Sequence, residues 1–330
     1  MLRDAVPHDF VMQACTVSIT KGTYKNFTSI ILESEQIRLE TVPEIGGKLV
    51  SILYKPTGKE WMLDSGYRPM RQPEYGSSFS GWDMSGWDEC FPTINSCPSG
   101  IDKAISLPDH GELWSLSWDY RIGENSMISS VRSPQLPYQF SREVAFSSAD
   151  RISLDYRADN RSDQPIPFLW VPHPQFAITE PTRILLPESM EEMLCVYEGH
   201  TLKNGKTYTW DDVSLISPEV TGDGRKFYYP GIVPEGRSGL YGETSGNFLI
   251  LTVPEDKVPY LGVWVDEGMF NDRATCALEP SIGYYDSLEM AVANGTARMI
   301  PAQSSFSWHV ELSLGAGINN LGNGLKRGRP

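Results

Sequence analysis

The chain has 330 residues, 40% hydrophobic and 21% charged, with 28 Lys and Arg against 42 Asp and Glu for a net charge of -14. That balance works against binding nucleic acid or an anionic membrane surface, and no run of about 18 apolar residues reads as a membrane span. Five scattered cysteines (Cys15, Cys90, Cys97, Cys195, Cys276) show no two-residue spacing, which argues against a CxxC redox or zinc motif and for reduced thiols in a cytoplasmic protein.

Taken in order, residues 1–8 lack the apolar core of a signal peptide. Residues 36–40 alternate apolar and polar, Val42-Pro43-Glu44-Ile45-Gly46-Gly47 interrupts, and residues 48–54 resume a strand pattern. The Gly46-Gly47 pair predicts a bulge or a close backbone approach, and Pro56-Thr57-Gly58-Lys59 predicts a turn. Residues 67–105, rich in Gly, Ser, Pro, Trp and Asp, form a long irregular segment of the kind that usually carries function. Strand patterns return at residues 142–146, 151–158, 248–253, 261–265, 297–300 and 305–314. Helix is expected only in short pieces, for example near residues 189–194. Strands at roughly 8–12-residue spacing predict an all-β chain, one large antiparallel sandwich over residues 1–330. Residues 316–330, which end in a basic stretch, are expected to be a flexible tail.

Three residues draw attention as proton carriers. Glu279, in Cys276-Ala277-Leu278-Glu279-Pro280, ends a buried apolar pattern, where a carboxylate is costly unless paired, hydrogen-bonded or catalytic. His173 follows the apolar run Phe168-Leu169-Trp170-Val171-Pro172, and is either a proton carrier or a core histidine bonded to a carbonyl. His110 lies in Asp109-His110-Gly111-Glu112, where Asp109 and Glu112 would raise its pKa by proximity; a plain turn histidine reads equally well. In Gly86-Trp87-Asp88-Glu89-Cys90, Asp88 and Glu89 are candidates to accept ligand hydroxyls, and Trp82 or Trp87 offers a ring face. The bland alternative is a loop anchored by aromatic packing. Lys226 and the Trp264-Val265-Asp266-Glu267 run, including Asp266, are further candidates for a far wall. No metal-ligand spacing, phosphate loop or Gly-x-Ser-x-Gly elbow is present, so no metal or other cofactor is expected.

The order of these motifs, His110-Gly111, then His173 after a strand, then Leu278-Glu279, resembles the aldose 1-epimerase (galactose mutarotase) family from about residue 33 to 314. The resemblance implies a β-supersandwich with a sugar pocket and interconversion of the α and β anomers of a free aldose. It implies Glu279 as the base at the anomeric hydroxyl, His173 as the acid at the ring oxygen, and His110 as a substrate-binding residue. The arginine with which relatives bind substrate has no counterpart between Arg71 and Arg121, which leads us to expect a neutral sugar. Separately, no nucleic-acid or membrane partner is expected, and the chain is expected to be a monomer or homodimer. A ring must fit between acid and base, so His173 and Glu279 are expected several ångströms apart and not bonded to each other. Two other classes fit the same sequence. One is a carbohydrate-binding or sensor protein; the other is a glycoside hydrolase pairing Glu279 with Asp88 or Glu89.

Overall fold

Period-two alternation sets most of this chain into antiparallel strands. Along Arg151–Asn160, Ile152, Leu154, Tyr156 and Ala158 are buried while Arg151, Asp155 and Arg157 face solvent. A slip of one residue would put that apolar set in water, so the pairing with Ser305–Ala316 and Tyr138–Ser148 is fixed. The computed structural model describes residues 15–102, 104–321 and 324–326. The expectations for residues 1–8 and for the basic end at 327–330 lie outside the described residues.

Among the described residues, three large antiparallel sheets carry the fold, beside two two-stranded ones. A ten-stranded sheet runs from Leu215–Ile216 through Thr182–Pro187, Arg237–Gly242, Asn247–Thr252, Ser305–Ala316, Arg151–Asn160, Tyr138–Ser148 and Ser126–Arg132 to Asp119–Ile122, with Leu325–Lys326 added beside Thr182–Pro187. A seven-stranded sheet runs from Ser18–Tyr24 through Phe27–Glu33, Ile37–Val42, Lys48–Tyr54 and Trp87–Cys90 to Val171–Pro174, with Lys59–Glu60 added beside Lys48–Tyr54. A six-stranded sheet holds Phe176–Ala177, Ala274–Ser281, Tyr260–Glu267, Asp223–Tyr228, Glu192–Tyr197 and Thr207–Thr209. One apolar cluster joins Ile30 and Leu39 of the second sheet, Leu154 and Leu312 of the first, and Val263 and Leu278 of the third. At fully buried Leu154, truncation to Ala would cost about 2–5 kcal/mol.

The all-β expectation holds: among the described residues the only α-helices are Trp210–Val213 and Leu288–Ala293, the second capped by Ser287, whose hydroxyl accepts from the Met290 amide. The expected close approach at the glycine pair is present, since a Cβ on Gly46 would lie 2.6 Å from Trp114 backbone atoms. Two expectations fail. Residues 189–194 hold no helix; Glu192–Tyr197 is a strand between Asp223–Tyr228 and Thr207–Thr209 whose Met193 and Cys195 pack into the core, so tertiary structure overrides local helix propensity. The described part of the tail expected to be flexible from residue 316 is docked, with Leu325–Lys326 paired beside Thr182–Pro187. Leu321 and Leu325 are buried in a cluster with Leu185, Tyr241, Phe248 and Ile250.

Candidate active site

A seam positions the site. The chain leaves the seven-stranded sheet at Pro174 and joins the six-stranded sheet at Phe176, so one residue, Gln175, makes the crossing. His173 therefore faces Glu279 on the neighbouring sheet, and the pair is in contact: His173 Nδ1 lies 2.9 Å from Glu279 Oε1. This corrects the expectation that the two would stand apart. Ala274–Ser281 is buried at all eight positions, and an ionised carboxylate there needs partners on both oxygens. Gly262, directly opposite Glu279 on the next strand, leaves the room; a Cβ there would meet Glu279 Oε2 at 3.1 Å.

The other oxygen belongs to Lys226, whose Nζ lies 3.0 Å from Glu279 Oε2 and 2.8 Å from Asp286 Oδ1. Burial works against the Glu279 carboxylate, but the Lys226 charge and the His173 hydrogen bond outweigh it and bring its pKa down to about 2. For Lys226, burial opposes the charge and the two carboxylates prevail, so its pKa rises. His173 has neither ring nitrogen free: Nδ1 donates to Glu279, and Nε2 lies 2.8 Å from the Gln175 side-chain nitrogen, from which it accepts.

His110 sits across the cavity on a turn. Its φ is +59° and that of Gly111 is +73°, and a Cβ on Gly111 would lie 2.3 Å from the Phe91 carbonyl oxygen, so only glycine fits after this histidine. The imidazole stacks on Phe79 at 4.2 Å and stands edge-on to His173 at 5.0 Å. Nδ1 is 2.9 Å from Asp109 Oδ1, and among the described residues Nε2 has no hydrogen-bond partner beside the cavity. Burial lowers the His110 pKa more than Asp109 raises it. Glu112, expected to tune this histidine, instead accepts from the hydroxyls of Tyr75 and Tyr138, at 2.6 and 2.5 Å.

These groups border one cavity of about 380 Å³, walled by Phe79, His110, His173, Lys226, Glu279 and Asp286, with Tyr197, Trp264 and Phe270 at its mouth. Another depression of about 440 Å³ lies around Arg225 and Glu267, but Arg225 is already held by Asp223 and Glu267 at 3.0 and 3.1 Å. Four residues expected to bind substrate are elsewhere. Trp87, Asp88 and Glu89 are fully buried. Asp88 lies 3.0 Å from the Lys48 ammonium, which also bonds Asp83 at 2.7 Å. Glu89 accepts from Arg142, Tyr156 and the Trp170 indole at 2.9, 2.9 and 3.0 Å, and all its partners are buried. Asp266 is buried too and accepts four backbone N–H groups of the following turn. The two-carboxylate hydrolase pairing of Glu279 with Asp88 or Glu89 falls with this, because neither acid reaches the cavity. Sequence reasoning passed over Gln175 and Asp286. Gln175 carried a signal, two residues after His173 on an extended run; Asp286 lay in the polar loop after Glu279. Among the described residues no three His, Cys, Asp or Glu side chains group as a metal site, and no helix is long and apolar enough to cross a membrane.

No family model matches the sequence, and no curated protein matches it either. Solved structures match over nearly the whole chain. The Slr1438 protein of Synechocystis sp. PCC 6803 aligns with a TM-score of 0.68 at 16% identity, covering 90% of this chain and 99% of its own. A galactose mutarotase-like protein of Lactobacillus casei aligns at 0.62 and 14%, covering 87% of this chain and 100% of its own. The fold is galactose mutarotase-like. A galactose mutarotase related enzyme of Lactobacillus acidophilus shares this mutarotase-like fold at 0.62 and 14%, covering 90% of this chain and 99% of its own. At these identities the likeness carries the architecture alone.

Proposed function

We propose that the chain is an aldose 1-epimerase acting on a free, neutral aldose. The observation that most supports this is the convergence of Glu279, His110 and His173 on one cavity from three distant parts of the sequence. Glu279, ionised, takes the proton of the anomeric hydroxyl through Oε2. His110 gives a proton from Nε2 to the ring oxygen as the C1–O5 bond breaks. The aldehyde rotates about C1–C2, and closure on its other face reverses both transfers. The resemblance assigned the acid to His173. With both of its nitrogens engaged, His173 is better suited to hold Glu279, and the free Nε2 of His110 is better suited to reach substrate. Each transfer contributes roughly 10²–10⁴-fold.

A neutral substrate is supported by the charges at the wall. Lys226, the cation there, is already held by Glu279 and Asp286, and Asp109 adds a further carboxylate. A cytoplasmic location belongs to the same proposal and is supported by five free cysteines, four of them buried. A sugar-binding protein without turnover is the second reading, favoured by the mutual bonding of His173 and Glu279. Anomer exchange measured by NMR on a panel of free aldoses separates the two, because only the epimerase accelerates it above the buffer rate.

A further inference from the structure

The proposed reaction makes no use of Tyr197, Trp264 and Phe270 at the cavity mouth, yet the fold holds them with care. Their ring centroids lie 5.7 Å apart for Tyr197 and Trp264, 5.7 Å for Trp264 and Phe270, and 6.4 Å for Tyr197 and Phe270. Tyr197 is 41% exposed and Phe270 40%, so both rings present apolar surface to water.

Two independent devices aim them. At Tyr197 the pairing register with Asp223–Tyr228 shifts between Cys195 and Tyr197, an irregularity of the kind that redirects a side chain. At Phe270 the buried Asp266 carboxylate accepts the amides of Gly268, Met269, Phe270 and Asn271 at 3.0, 2.7, 3.2 and 2.9 Å. Asn271 Nδ2 then donates to the Met84 carbonyl at 2.9 Å. Arg68 spans the mouth, donating to the Phe270 carbonyl at 2.7 Å and to those of Ser80 and Trp82 at 3.3 and 3.1 Å. A buried carboxylate thus organises a turn whose outward product is one rigid, exposed ring. A fixed apolar ring loses little conformational entropy when a ligand covers it.

The geometry also limits what that ligand is. The ring planes are splayed by 64°, 54° and 52°, so no pair forms the parallel slot that a flat aryl group enters. A pyranose is non-planar and presents C–H groups in several directions, and the Tyr197 hydroxyl, which donates to Met269 Sδ at 3.4 Å, keeps its oxygen lone pairs as an accepting polar edge. The platform is continuous with the cavity that contains Glu279. We infer that the mouth is a second sugar subsite, taking the glycosyl residue attached to the non-reacting end of the aldose. The preferred ligand is then the reducing end of a short oligosaccharide. This rests on the sugar reading proposed above.

Calorimetry on the full chain tests it, comparing cellobiose, maltose and lactose with glucose and galactose. At least one disaccharide should bind roughly tenfold or more tightly than its own reducing-end monosaccharide, from the added apolar contact. Phe270→Ala and Tyr197→Ala should each bring that ratio close to one, while Phe270→Trp should keep it. A wild-type ratio near one for every pair, no binding of any probe, or a ratio that survives both alanine variants would overturn the subsite. Anomer exchange on the monosaccharides, measured in parallel, keeps the two claims apart. Acceleration with a ratio of one removes only the subsite; a tenfold ratio without acceleration removes only the epimerase.

Discussion

Lys226 Nζ stands 3.0 Å from Glu279 Oε2, reaching it across the strand that carries Gly262. This ammonium is the largest influence holding a fully buried carboxylate ionised, with a pKa near 2. A carboxylate so stabilised is always ready to accept a proton but is a weak base, so the site favours availability over basic strength.

Replacing Lys226 with Met should reverse that balance. Burial alone raises a carboxyl pKa, so the acid limb of the exchange rate should move up by at least one pH unit, toward neutrality. The pH–rate profile of Lys226→Met checks this. An acid limb left in place would show that Lys226 does not control Glu279.

The histidines should separate in the same experiment. Donation to the ring oxygen needs protonated His110, whose pKa lies below its ordinary 6.5 because of burial. The wild-type rate should therefore fall as pH rises past that lowered pKa. His110→Asn should abolish this basic limb and slow exchange by roughly 10²-fold or more. His173→Asn should slow exchange less and keep the limb. The reverse pattern would return the acid role to His173.

Much of this was legible in the sequence, and the failures share a cause. The strand alternation and the apolar run before Glu279 are local patterns, and they placed the sheets and the carboxylate correctly. Asp88 and Glu89 were misread because acids in a Gly- and Trp-rich stretch look solvent-facing. Their cations come from far away, Arg142 being 53 residues along the chain from Glu89. Lys226 was no more than a weak candidate for the same reason, since strand register alone brings it to Glu279. Asp266 did carry a local signal, Asp266-Glu267-Gly268, the composition of a turn in which the aspartate accepts backbone amides.

The buried Lys48 cluster should make stability depend on pH. Burial pushes the Asp88 carboxyl up to about 6 despite Lys48. A raised folded-state pKa means the folded protein holds that proton more tightly. Its contribution is therefore complete below about pH 4 and is lost as pH rises through 6. Asp88→Asn should match wild type at pH 4 and be the more stable protein at pH 8. Lys48→Met, which strands two buried carboxylates, should cost about 3–5 kcal/mol. Thermal melts across this range check both; a pH-independent difference between wild type and Asp88→Asn would contradict the first.

Charge at the cavity wall should govern substrate choice. Glucose should bind more tightly than glucose 6-phosphate, because Asp109, Glu279 and Asp286 all line the cavity and its lysine is already engaged by the last two. Calorimetry with the two ligands at low ionic strength gives the answer, and tighter binding of the phosphate would contradict it.

Anomer exchange itself is the most direct test of the central claim. Proton NMR saturation transfer between the α and β signals of free aldoses should show wild-type protein raising the exchange rate above buffer. Glu279→Gln, which keeps the shape and removes the base, should lower that rate at least roughly tenfold while sugar affinity stays within a few-fold. A wild-type protein that binds aldoses and leaves their exchange at the buffer rate would contradict the epimerase account.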